Sequence, residues 1–210
     1  ILFIGGENSF DRGGYKGTLL ETLLPIKIGA GEEQNKSDIN IVIVIDISQG
    51  TEDYIAVEKA LALSVVDSLS EKNNVGAVAF GYTPCQAFTI AEVKPLKEIK
   101  TELKEKISRL KFDGQSCFDI GIQGGFQLLS KVGGSKNIIF ISDGKTTYQK
   151  LREDTLNVVR TVNAKGVKVF AVGVGTETDS LATENNLFLG NVAALGEGVY
   201  YKADAANKLK

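Results

Sequence analysis

Ile39-Asn40-Ile41-Val42-Ile43-Val44-Ile45-Asp46-Ile47-Ser48-Gln49-Gly50 is the stretch on which the fold turns. From Ile39 to Ile47 it is nearly all Ile and Val, β-branched residues that fit a pleated surface. A run without polar alternation suits a strand buried on both faces, as in a parallel sheet covered by helices. The run closes on Asp46, Ser48 and Gly50, so polar and turn-forming residues gather at the strand's C-terminal end.

Outward from this strand, apolar spacing alternates between two periods. Residues 52–70 carry Val57, Leu61, Val65 and Leu69 on one face of an expected helix. Val75 to Phe80 reads as a second strand, Gly81 to Pro84 as a turn, and Cys85 to Val93 as an antiparallel edge strand. Residues 97–111 alternate Lys and Glu around Ile99, Leu103, Ile107 and Leu110, the pattern of a charged surface helix. A helix over 117–131 contains Gly124 and Gly125, which are expected to weaken it. A strand over Asn137 to Ser142 ends at Asp143-Gly144. Residues 151–164 form a helix with Leu151, Thr155, Val158, Val159 and Val162 inward, and Val167 to Val174 is a strand. A helix from Asn186 to Leu195, a strand from Val199 to Lys202 and the start of a further helix at 205–210 complete the chain. Strands alternating with helices predict an α/β fold in three layers: a doubly wound, mostly parallel six-stranded sheet with one antiparallel edge strand. Such sheets bind ligands beyond the carboxyl ends of the strands, where strand order reverses. The loops after Ile47, Ser142 and Gly175 are therefore the places to look.

Composition narrows the chemistry. The 210 residues are 43% hydrophobic and 24% charged, the balance of a globular chain able to bury a sizeable core. Lys plus Arg number 24 and Asp plus Glu 26, a formal charge of −2 that is poor material for a phosphate-backbone binder. There is no His, which excludes a Ser-His-Asp triad, a Cys-His pair and any His-ligated metal site within the chain. The two cysteines, Cys85 and Cys117, cannot build a Cys-rich zinc site or a disulfide framework. Cys117 is expected to be a small buried apolar residue beneath a loop. Nothing in the sequence places Cys85 close enough for the bridge that remains the alternative. No apolar run approaches membrane-spanning length. Gly144-Lys145-Thr146 fails as a phosphate loop because Ile139 stands where the earlier Gly is required. The chain does not begin with Met and is expected to be part of a longer one.

Three loops carry the candidate site: Asp46-Ile47-Ser48-Gln49-Gly50, Asp113-Gly114-Gln115-Ser116 just ahead of a helix, and Ser142-Asp143-Gly144. In a doubly wound sheet they meet at one edge and offer carboxylates and hydroxyls, the hard oxygen ligands magnesium takes in near-octahedral geometry while keeping several waters. A plainer reading has Asp46 and Asp143 capping loops and helix starts, where carboxylates are favourable anyway. Against it, two converging acids repel without a cation, although Lys145 next door offers positive charge.

From about Ile39 onward the chain resembles the von Willebrand factor type A domain. Asp46 and Ser48 match the first two ligands of that family's DxSxS motif, Ser116 stands at the position of its Thr, and Asp143 matches the Asp closing its fourth strand. The strand Val167 to Gly175 and the run Val192-Ala193-Ala194-Leu195-Gly196 through Tyr201 add to the likeness. Gly50 departs from the pattern: it occupies the second Ser position and has no side-chain oxygen. The resemblance implies a degenerate metal-ion-dependent adhesion site that holds Mg2+ (or Mn2+ or Ca2+) through Asp46, Ser48, Ser116 and Asp143, with water at the Gly50 position. It implies a non-catalytic module in which a protein partner's Asp or Glu completes the cation's shell. Two alternatives are a metal-free scaffold domain of a larger membrane-anchored protein, favoured by Gly50, and a metal-dependent hydrolase using Asp46 and Asp143, disfavoured by the absence of His and of any evident general base apart from those carboxylates.

The N-terminal residues read differently. Gly5-Gly6-Glu7-Asn8-Ser9-Phe10, Gly13-Gly14-Tyr15-Lys16-Gly17-Thr18 and Leu23-Leu24-Pro25-Ile26 resemble part of a glutamine-amidotransferase-like domain that accompanies type A domains in some large membrane-anchored proteins. With no Cys in the segment and no His anywhere, amidotransferase chemistry is not expected. The division expected is 1–34, a fragment of that neighbour with a linker, and 35–210, the type A domain. The fragment is a candidate surface for self-association. No nucleic-acid partner and no direct membrane insertion are expected.

Overall fold

The computed structural model describes residues 39–48, 55–81, 84–146, 148–174 and 182–203. The N-terminal segment, Gly50, the loop after Val174 and residues 204–210 lie outside them. In chain order the elements are β1 (Ile39–Asp46), α1 (Ile55–Ser68), β2 (Asn74–Phe80), β3 (Ala87–Pro95), α2 (Leu96–Ser108), α3 (Phe118–Ser130), β4 (Ser135–Ser142), α4 (Gln149–Asn163), β5 (Val167–Val174), α5 (Ala182–Leu195) and β6 (Glu197–Ala203). The sheet is six-stranded in the order β3-β2-β1-β4-β5-β6. β2 and β3 pair antiparallel, with register shifts after Val75 and Ala77, and every other pair is parallel. This is the predicted architecture. Strand order reverses at β1, which lies between β2 and β4, so the switch point at which sheets of this kind bind ligands lies beyond Asp46 and Ser142.

The alternation inside β1 separates two cores. Val42 and Val44 pack with Phe118, Ile122 and Leu129 of α3, Val159 of α4 and Phe188 of α5. Ile43 and Ile45 pack with Leu61 and Val66 of α1 and with Leu96, Leu103 and Ile107 of α2. Side chains on a strand alternate faces, so a continuous apolar run is what two covering layers require. Three fully buried rings, Phe80, Phe118 and Phe140, fill the first core. Phe80 stacks on Phe140 at 5.7 Å, and Phe118 meets both edge-on at 6.1 Å. These rings lie close in sequence to the candidate site: Phe80 pairs with Asp46 in the sheet register, Phe118 follows Ser116 by two residues, and Phe140 precedes Ser142 by two.

Three helices differ in detail from expectation. α1 buries Glu58, Leu61, Ala62 and Val66, while Val57, Val65 and Leu69 are only partly covered. Apolar residues flank the stripe on both sides, so spacing alone does not pick its centre. α3 runs unbroken from Phe118 to Ser130 through its glycines. They let it approach the sheet, because a Cβ at Gly121 would collide with the Phe80 ring and one at Gly125 would lie 2.8 Å from Val44. α5 starts at Ala182, earlier than expected, because its polar first turn hides it. Among the described residues no helix is long and apolar enough to cross a membrane.

Candidate functional site

Asp46 is the last residue of β1, and its side chain is fully buried. Its Oδ1 accepts the Ser48 backbone N–H at 2.9 Å, a local turn that carries Ser48 back towards the strand end. Its Oδ2 accepts the Ser142 hydroxyl at 2.7 Å. Ser142 Oγ in turn accepts the Gly144 N–H at 2.9 Å. One hydroxyl therefore ties the carboxylate of β1 to the backbone turn that follows β4. Burial pushes the Asp46 carboxyl up to about 6, and the bonds from Ser142 and Ser48 recover only part of the cost of charging it.

The second loop comes in from the N-terminus of α3. Ser116 donates its hydroxyl to the Lys145 carbonyl at 3.0 Å and lies 3.3 Å, oxygen to oxygen, from Ser48 Oγ. Asp113 of the same loop donates its N–H to the Ile47 carbonyl at 2.6 Å, fixing the loop along the end of β1. The third loop is held by Asp143, whose Oδ1 accepts the Lys145 N–H at 2.8 Å and whose side chain is 4% exposed. Gly144 turns that loop at φ +69°, where a Cβ would press within 3.2 Å of Leu189 and the Asn185 carbonyl of α5. Only glycine combines that φ with that proximity.

Asp46, Ser48, Ser116 and Asp143 all fall within these three loops, and hydrogen bonds link the loops to one another. Gly50 lies outside the described residues, as does the loop after Gly175. The donor set is all oxygen, which suits Mg2+, Ca2+ or Mn2+ and not a soft-ligand metal. Two carboxylates and two hydroxyls leave room for waters, as magnesium prefers. The donor types of these residues fit such a cation, which would supply positive charge beside the buried Asp46 carboxylate. No cluster of three or more His, Cys, Asp or Glu suited to a metal occurs among the described residues, so a cation here depends on the hydroxyls.

Three participants were missed in the sequence. Ser142 stands in the third candidate loop without a role of its own, and no local signal shows that its hydroxyl bridges to a residue 96 positions earlier. Arg152 is buried on α4, where its Nη2 donates to Asn185 Oδ1 at 2.7 Å and its guanidinium lies 5.6 Å from the Phe188 ring centre. It locks α4 to the α5 residues on which Gly144 rests. The third correction concerns Cys117. It is not a free apolar residue but is joined to Cys85 by a disulfide, with Cα atoms 5.8 Å apart. The β2–β3 connection brings Cys85 to the start of α3, a juxtaposition across 32 residues that spacing could not supply.

Similar folds occur among solved structures. The conserved hypothetical protein BatB of Bacteroides thetaiotaomicron superposes with a TM-score of 0.64 at 20% identity, over 80% of this chain and 92% of that one. The von Willebrand factor domain of the type V pili tip protein Mfa5 from Porphyromonas gingivalis gives 0.64 at 12% identity, over 82% and 91%. The pilus adhesin SpaC of Lactobacillus rhamnosus GG gives 0.66 at 15% identity, over 82% of this chain but only 28% of that one. At these identities the likeness is one of fold. Comparison with curated proteins finds no match. The family profile of the von Willebrand factor type A domain matches residues 40–209, and this chain belongs to that family.

Proposed function

We propose that the switch point beyond β1 and β4 holds a divalent cation, Mg2+ first among Mg2+, Mn2+ and Ca2+, and that the domain uses it to engage a protein partner. Asp46, Ser48, Ser116 and Asp143 are the ligands, and water takes the position for which Gly50 has no oxygen. The partner supplies an Asp or Glu carboxylate, and the module itself is non-catalytic. The observation that carries this reading is the convergence of a fully buried carboxylate, Asp46, with two hydroxyls 3.3 Å apart that come from loops 68 residues apart. A buried carboxyl pushed up to about 6 is an unfavourable charge at neutral pH, and a cation would relieve it. A pilus adhesin and the von Willebrand factor domain of a pilus tip protein share the fold, which is consistent with a role in binding. The parent protein is proposed to be membrane-anchored, as the resemblance of the N-terminal segment implies.

A metal-free scaffold is the second reading. It draws on Gly50 and on the hydrogen bonds that both Asp46 oxygens already accept. Calorimetric titration with Mg2+ separates the two readings. Saturable binding that raises the melting temperature by mass action, and that disappears in Asp46→Ala with the fold intact, is expected. Equal affinity in Asp46→Ala, or no binding at millimolar Mg2+, would favour the scaffold.

A further inference from the structure

The Cys85–Cys117 bridge stands one residue from Ser116. Cys117 occupies the cap position of α3 (φ −143°, ψ 57°), and no side-chain hydrogen bond caps the helix there. Helix starts ordinarily satisfy free N–H groups through a Ser, Thr, Asp or Asn side chain. Here the first residue is anchored covalently instead. The approach to it, residues 110–117, has no helix or strand, and Lys111, Phe112, Asp113 and Gln115 are exposed. Several ties hold this segment, among them two hydrogen bonds and the bridge. Asp113 bonds to β1, Ser116 bonds to the loop after β4, and the disulfide joins it to the β2–β3 connection. A ligating hydroxyl must be held within about 0.5 Å of its productive place. The two hydrogen bonds are exchangeable with water, whereas the bridge is not.

We propose that the Cys85–Cys117 disulfide positions the Ser116 hydroxyl for cation binding, so that the oxidised chain is the cation-competent form and reduction by a dithiol weakens the site. The inference rests on the cation reading above. Cys85 is exposed and Cys117 is 1% exposed, so a dithiol meets the bridge from the Cys85 side. The exchange balances within its reactants. The protein's sulfur–sulfur bond breaks, Cys85 and Cys117 each gain a hydrogen, and the dithiol loses two electrons and two protons as it closes its own disulfide.

The test measures Mg2+ affinity by calorimetry on four samples: oxidised chain, chain reduced with dithiothreitol and then freed of it anaerobically, the same chain reoxidised, and Cys85→Ser. Circular dichroism and the metal-free melting temperature are recorded for each. Affinity is expected to fall about ten-fold or more on reduction and in Cys85→Ser, as for other groups that orient a metal ligand. Reoxidation restores it in the wild type and not in the variant. If the oxidised chain binds and the reduced chain binds equally well, the inference is overturned and the cation reading stands. A lower melting temperature with unchanged affinity also overturns it, because the bridge then serves stability alone. If the oxidised chain does not bind, both readings fall.

Discussion

At the N-terminal end of β1, Asn40 is fully buried; at the C-terminal end of the same strand, on the same face by parity, Asp46 is fully buried too. Their surroundings are built in opposite ways. Asn40 donates through Nδ2 to the carbonyls of Gly133 at 2.6 Å and Ser135 at 3.0 Å, and its Oδ1 accepts from Asn74 Nδ2 at 3.1 Å. Asn137 closes the cluster by donating to the Asn40 carbonyl at 3.2 Å. A neutral amide needs partners and nothing more, and this one has them within the fold. Asp46 also has partners, yet burial still pushes its carboxyl up to about 6. Hydrogen bonds repay part of the desolvation of a charge, and the remainder calls for an opposite charge. One sheet edge is thus a closed structural cluster, and the other carries charge that the described protein groups do not fully offset.

This contrast predicts a double dissociation. Asn40→Ala removes three hydrogen bonds, one from the half-buried Asn74 amide and two to the carbonyls of the exposed residues Gly133 and Ser135, each worth about 1 kcal/mol net. Urea denaturation is expected to register a loss of about 2–3 kcal/mol, with Mg2+ affinity unchanged. A large loss of Mg2+ affinity in a variant of normal stability would erase the distinction between the two edges.

The next effect is one of pH. Because the folded carboxyl of Asp46 lies above its ordinary 3.8, the folded state takes up that proton first. Its contribution to stability is present at low pH and is lost as pH rises through about 6. Asp67 and Glu102, lowered by hydrogen bonds from Lys104 and Lys106, act with the opposite sign but at lower pH. Between roughly pH 5 and pH 7 the metal-free melting temperature should therefore fall more steeply in wild type than in Asp46→Asn. Saturating Mg2+ is expected to flatten the wild-type slope. Parallel slopes in wild type and variant would mean that Asp46 is not the group under strain. The smallest effect concerns Gly50→Ser, which restores a hydroxyl at the one departure from the family pattern. Calorimetry is expected to record a modest gain in Mg2+ affinity, since ligand number tunes such sites. A loss would assign Gly50 a backbone role instead.

Much of the fold was legible because its signal is local. The β1 run, the charged α2 and the alternation of periods each reflect burial within a single element. Of the candidate site, the three loops were legible from the topology: Asp46, Ser48 and Asp143 stand at strand ends and Ser116 ahead of a helix, and the family resemblance then singled these residues out within the loops. The bond from Ser142 to Asp46, the closure of the cysteine bridge, the fit of the α3 glycines against the sheet and the buried Arg152 were not legible, because each depends on a partner remote in sequence. The Asn40 cluster is the plainest instance, with bonding partners 93 and 95 residues away.

Hydrophobic periodicity by itself determined that β1 is buried on both faces and that the sheet is doubly wound, and so made its carboxyl edge the place to look for a ligand. These properties depend on how much apolar surface each element must bury, which neighbours in sequence decide. Which polar residues at that edge act together was decided only in three dimensions. Hydrogen bonds and disulfides require atoms within a few ångströms, and the sheet order, by placing β1 between β2 and β4, brings those atoms together.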